Sequence, residues 1–159
     1  MALRNIITGE DPSLRKKSRP VTVFDSRLHQ LLDDMAETMD HANGVGLAAV
    51  QVGVLRRAVV INVGEGLIEL INPVITQKSE ETIQISEGCL SYPGESGMVA
   101  RPHTVTVEAQ DREGNPVSVT GSELLARAIC HETDHLDGVI FKDLATELFD
   151  HDDEEDEEL

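Results

Sequence analysis

The chain has 159 residues, 40% of them apolar and only 3% aromatic, with a formal net charge of −17. That length suits one domain with an aliphatic core and is too short for two ordinary ones, while the charge excludes a duplex-binding surface, so DNA is not an expected partner. Without a membrane-length apolar run or a signal peptide's hydrophobic segment, the sequence is expected to be cytoplasmic and to have no membrane partner.

Residues 5–24 read as an extended arm with turns at Asp11-Pro12 and Arg19-Pro20. Leu28, Leu31, Leu32, Met35 and Met39 recur at helical spacing behind Asp25 or Ser26 as N-cap, which predicts a helix over 26–41. The glycines and small residues from Asn43 to Gly53 suggest a loop that another chain could approach closely. As a nucleotide-binding loop it is weak, since no strand precedes it and no Gly-Lys-Ser/Thr follows. Strands are expected at 57–63, 67–77, 81–86 and 103–111, with Pro73 marking an edge or a bulge. Residues 86–94 read as an irregular loop that presents Cys89. A hairpin turn at 112–115 leads to a strand at 116–120. Thr120-Gly121-Ser122-Glu123 has the form of a capping box opening a helix that stops near Gly138. The expected architecture is α+β, with antiparallel or mixed sheets around a central helix in a single domain over 1–148. Residues 149–159 form an acidic tail, expected to be disordered because it repels itself and has nothing to bury.

The central helix carries His131-Glu132-Thr133-Asp134-His135. On a helix His131 and His135 fall about 40° apart, with Glu132 about 60° beyond His135 and Asp134 about 60° on the far side of His131. Two imidazoles can thus converge on one metal ion between carboxylates, a layout for metal-assisted hydrolysis. At this composition the five-residue pattern arises by chance in roughly one such sequence in forty, so it needs a third ligand and a substrate-facing loop. In a reducing compartment Cys89 and Cys130 are expected as thiols or metal ligands rather than a disulfide. Cys89 would complete a thiolate and two imidazoles, leaving a fourth position open; without the histidines, a buried free cysteine would be the better reading.

Three segments now stand in order: Gly44-Val45-Gly46-Leu47-Ala48-Ala49-Val50-Gln51, Glu87-Gly88-Cys89-Leu90-Ser91, and the helix motif. In these the sequence resembles the peptide deformylases, over about residues 6–144. The resemblance implies the family's fold and an enzyme that hydrolyses the N-formyl group from the N-terminal formyl-methionine of newly synthesised proteins. It implies that Cys89, His131 and His135 hold one divalent ion, ferrous iron in the cell, with zinc, nickel or cobalt as alternatives in purified protein. It further implies attack by a metal-activated water, Glu132 as general acid and base, and the Gln51 side chain and Leu90 N–H as donors to the oxyanion. N-formyl-methionyl peptides are the expected partners. For the methionine side chain we expect a pocket using Val45, Leu124 and Ala128, with the peptide added as a strand along Gly44–Gly46. Asp134 and Glu87, the latter paired with Arg101, are expected to orient a ligand imidazole.

Three features depart from the family. Cys130 stands where many members have glutamine, and about 100° from His131 it is not a ligand. Arg127, at a position often apolar, is expected to pair with Glu123 or Asp134. Some members end in a basic helix proposed to dock on the ribosome; this chain ends in acids, so at most a transient ribosome contact is expected. Alternatives are a zinc endopeptidase or a non-catalytic metal-containing binding module. Cys89 argues against the first, and Gln51 with Glu132 against the second.

Overall fold

The structure is a computed structural model and describes residues 2–150. Helix α1 (Ser26–His41) begins as expected, with the Asp25 carboxylate accepting the N–H groups of Arg27 and Leu28. Its buried face holds the predicted leucines and methionines, and also Asp34 and Thr38. Those two polar groups fasten the N-terminal arm. Ala2 N–H donates to Asp34 at 2.8 Å, the Arg4 guanidinium pairs with it at 3.0 Å, and Arg4 N–H donates to Thr38 Oγ1.

Strands β1 (Gly46–Ala48), β2 (Ala58–Ile61), β3 (Ile68–Lys78), β6 (Thr104–Gln110) and β7 (Pro116–Ser122) form one antiparallel sheet in the order β1-β2-β3-β6-β7. Strands β4 (Thr82–Cys89), β5 (Tyr92–Pro102) and β8 (Glu147–Asp150) form a second, with β5 central. Helix α2 (Leu124–Leu136) packs against the larger sheet, and a single turn, α3 (Phe141–Leu144), precedes β8. All four residues of β2 are fully buried because the strand is covered on both faces. Val59 and Ile61 pack with Ala128 and Ile129 of α2, while Ala58 and Val60 pack with Leu32 and Met35 of α1.

The α+β expectation holds, and several local ones are corrected. The glycine-rich loop contains β1, paired with β2 through Leu47 and Val60, followed by a 3-10 turn that positions Gln51. The supposed irregular loop at 86–94 is a hairpin: Cys89 ends β4 and Tyr92 begins β5, a strand hidden by Pro93, Gly94 and Gly97. Pro73 lies at a bulge rather than an edge, since β3 pairs with both β2 and β6 and its register shifts between Ile71 and Val74. The capping box is absent. Thr120 and Ser122 belong to β7, where their hydroxyls bond Thr106 and Thr104 across the strands, and Glu123 starts α2 without a side-chain cap. Phe149 and Asp150, placed in the tail by sequence, pair with Ser96 and Glu95 in β8. The rest of the acidic segment lies outside the described residues.

The arm's attachment gives a pH prediction. Burial raises the Asp34 carboxyl, but bonds from Ala2 N–H, Gln30 and Arg4 outweigh it and hold the group below its ordinary value. A depressed carboxylate stabilises the fold above its unfolded pKa and loses that contribution as pH falls through the folded one. Protection of the amides at residues 2–4, taken relative to their intrinsic exchange rate at each pH, is therefore expected to fall below about pH 4, and in Asp34→Asn to be reduced already at pH 7. Equal protection at pH 3 and pH 7 would contradict this anchoring.

Candidate metal centre

Helix α2 delivers the histidines. Its His131, Glu132 and His135 are all buried, on the side facing β1 and the β4–β5 hairpin. Cys89, also fully buried, reaches the same point from the end of β4. Its Sγ lies 3.3 Å from His135 Nε2, which lies 3.2 Å from His131 Nε2. The three ligand atoms all fall within 4.8 Å of one another.

The tautomers decide what belongs between them. Glu87 Oε1 accepts from His131 Nδ1 at 2.7 Å, which turns the Nε2 lone pair inward. Three donor atoms then face one another in a buried pocket, an arrangement that a cation would stabilise. Burial lowers both imidazoles; for His131 the negative charges of Cys89 and Glu132 overcome it and raise the ring, whereas His135 stays lowered beside its charged neighbour. One soft sulfur and two nitrogens suit zinc or ferrous iron and leave a coordination position free of protein.

Glu132 is fully buried, and neither carboxylate oxygen has a hydrogen-bond partner among the described residues. Burial raises its pKa to about 7, against an opposing pull from His131. A bound cation would draw it back down. The carboxyl lies against Gly46 of β1, where an added Cβ would sit 2.5 Å from Glu132 Oε2. Gly46→Ala should therefore displace the carboxylate and lower kcat by about 10²-fold, the scale of an ångström's misplacement in an active site. Steady-state kinetics on the metal-loaded variant would check this, and an unchanged kcat would mean the carboxylate can turn aside freely.

Gln51 is locked at both ends of its amide. Oε1 accepts Ala48 N–H at 2.9 Å, and Nε2 donates to Ser91 Oγ at 3.1 Å while facing Cys89 Sγ at 3.6 Å. Sequence reasoning gave Ser91 no role beyond its place in the motif. Leu90 follows Cys89 in the tight turn, and its side chain packs against Gly44. Val45, Leu124 and Ala128 share one apolar cluster.

Behind the histidines, Glu87 holds two arginines in addition to the His131 ring. Arg101 pairs with it at 2.7 Å and with Asp134 at 2.7 Å, and Arg127 pairs with it at 2.7 Å. Burial would raise Glu87, but bonds from His131 and Arg101 hold it well below the usual carboxylate range. Glu87 thus bonds His131 directly, whereas Asp134 is linked to Glu87 through Arg101. Arg127 does not pair with Glu123 or Asp134 as expected, because its guanidinium is turned under the hairpin towards Glu87. Cys130 is no part of the three-atom group, and burial raises its thiol into an inert range.

A sequence profile described as polypeptide deformylase matches residues 3–149. The chain belongs to the polypeptide deformylase family. It is 58% identical to the peptide deformylase of Alkaliphilus metalliredigens over 90% of this chain and 97% of that one. To the peptide deformylase of Acetivibrio thermocellus it is 58% identical over 98% of this chain and 91% of that one. The crystal structure of the peptide deformylase from Thermotoga maritima superimposes with a TM-score of 0.89 at 40% identity, covering 91% of this chain and 98% of that chain. That of the Synechococcus elongatus enzyme, in complex with actinonin, does so at 0.87 and 39% identity, covering 89% and 78%. The deformylase fold therefore accounts for both sheets and for the helix that carries the histidines.

Proposed function

We propose that this chain, a metal-dependent hydrolase by family, removes the formyl group from N-formyl-methionyl peptides at one divalent ion held by Cys89, His131 and His135. The observation that carries the reading is the buried meeting of those three atoms beside a Glu132 carboxyl that has no partner among the described residues. A divalent ion held by those residues would lower the pKa of a bound water and supply positive charge to the hydrolysis.

The chain's own residues do the rest. Glu132 accepts the water's proton and passes it to the leaving amine nitrogen, which a carboxyl raised by burial is suited to do in both directions. Gln51 cannot rotate away while Ala48 and Ser91 hold its amide, so its N–H can meet negative charge growing on the formyl oxygen, with the Leu90 N–H as second donor. One such donor typically contributes about 2.7–4 kcal/mol. Glu87 keeps His131 in the tautomer that faces the centre. The peptide lies along Gly44–Gly46 as an added strand, with its methionine side chain towards Val45, Leu124 and Ala128. Formyl carries only hydrogen on its carbonyl carbon, so a narrow centre admits it and excludes larger acyl groups.

Ferrous iron is the proposed ion in the cell. Zinc binds more tightly at such a site, so availability decides, and the thiolate makes air a source of inactivation. The substrate places the enzyme in the cytoplasm near emerging chains, with no more than transient ribosome contact from so acidic a protein.

Anaerobically loaded protein should release formate from formyl-Met-Ala and leave an internal peptide bond intact; cleavage of the internal bond alone would overturn the reading. Cys89→Ser is expected to copurify with less than a tenth of the metal and to lose activity in proportion. A fully loaded Cys89→Ser protein would remove the sulfur from the ligand set.

A further inference from the structure

We infer that Arg127 is a positioning residue for the metal centre: it fastens the hairpin that carries Cys89 to the helix that carries both histidines, and through Glu87 it fixes the His131 ring. The inference rests on the proposed ligand set.

Arg127 sits on α2 one turn before His131 and is almost wholly buried. Its guanidinium reaches three acceptors on the hairpin. Nη1 donates to Glu87 Oε2 at 2.7 Å and to the Val99 carbonyl at 3.0 Å, and Nη2 donates to the Ile83 carbonyl at 2.7 Å. Ile83 and Glu87 lie on β4 and Val99 on β5, so one side chain grips both strands of the hairpin whose β4 ends at Cys89. The Glu87 carboxylate is held at both oxygens. Oε1 takes His131 Nδ1 and Arg101 Nη2, while Oε2 takes Arg127 and a longer 3.2 Å bond from Arg101 Nε. Without Arg127 only that longer bond would remain at Oε2.

Stability alone is a poor reason for this arrangement. Buried ion pairs often contribute no more than a well-packed apolar side chain of the same size, and their better-attested use is to fix one geometry. The geometry here is the placement of a sulfur on a hairpin against two nitrogens on a helix. A planar fork with five donors can meet three acceptors at once; a lysine can satisfy the charge of Glu87 but cannot reproduce the fork.

The test uses cobalt(II)-loaded protein prepared anaerobically: wild type, Arg127→Met, Arg127→Lys, and Leu28→Ala as a destabilised core control on α1, outside the apolar cluster that holds α2. Three quantities are read: the thiolate-to-cobalt absorption band, the rate of cobalt loss to excess chelator at a temperature where each protein is folded, and Tm. Arg127→Met should lose cobalt about 10- to 100-fold faster than wild type, the usual cost of an outer partner, with an altered band. Arg127→Lys should lie between them, and Leu28→Ala should lower Tm while leaving band and loss rate unchanged. If Arg127→Met does not fold, Arg127→Lys carries the same comparison. Wild-type band and loss rate in the folded Arg127 variants would overturn the inference, whatever their Tm. A wild-type protein that takes up cobalt without a thiolate band would instead overturn the ligand set on which it rests.

Discussion

Replacing Glu132 by glutamine is expected to lower kcat by about 10²- to 10⁴-fold while one divalent ion per chain remains bound. The two effects separate because the carboxylate has no structural task. It is fully buried, neither oxygen has a partner among the described residues, and it is not one of the three converging ligand atoms. Glutamine fills the same volume, so the change removes proton transfer and little else. Burial raises the carboxyl to about 7 and a bound cation lowers it again, so the acid limb of the wild-type kcat/KM profile should fall below pH 7. Below that limb Glu132 is protonated and cannot accept the water's proton; above it the rate reaches a plateau. In Glu132→Gln the limb assigned to this group should vanish. Formate release across pH, with elemental analysis of the same samples, measures both. A loaded variant within threefold of wild-type kcat would rule out Glu132 as the proton carrier.

Glu87→Ala is expected to cost about 3–5 kcal/mol of stability, the scale for removing one partner of a buried ion pair. Its side chain is wholly buried and its charge is shared by Arg101, Arg127 and the His131 ring. After the substitution Arg101 keeps Asp134, but Arg127 keeps only the carbonyls of Val99 and Ile83. Glu87→Gln, which retains an acceptor for His131, should cost less. The pH dependence gives an independent sign. Glu87 has its folded pKa depressed, so its contribution is complete above the unfolded carboxylate pKa and is lost as pH falls through the folded one. Wild-type stability should therefore decline from about pH 5 downwards, and the decline should be shallower in Glu87→Gln. Denaturant midpoints for the three proteins between pH 3 and 7 decide this. A Glu87→Ala protein as stable as wild type at pH 7 would mean that the arginines find other partners.

What was legible in the sequence was whatever rests on local periodicity or on residue chemistry at fixed spacing. Helix α1 announces itself by five apolar positions and an aspartate cap, and the histidine pair by its four-residue step. Cys89 is a candidate third ligand from its chemistry and its glycine-flanked setting, and the resemblance strengthens that reading, but nothing local relates a cysteine at the end of one hairpin to a helix on another part of the chain. Strand β5 was hidden because Pro93, Gly94 and Gly97 carry turn signals that pairing with β4 and β8 overrides. The capping box misled for the opposite reason: Thr120 and Ser122 have good capping hydroxyls, and cross-strand partners in β6 claimed them first. Arg127 was noticed but given the wrong partners. Its neighbours on the helix wheel were visible, whereas the hairpin beneath it was not.

Strand β2 faces α1 with Ala58 and Val60 and α2 with Val59 and Ile61. A slip of one residue would exchange these two sets and confront each helix with side chains shaped for the other. No intermediate alignment relieves that mismatch, so the strand behaves as a keyed shaft between two fitted bearings. The histidine-bearing helix rests on this registered strand, so the two histidines it carries start from a fixed footing.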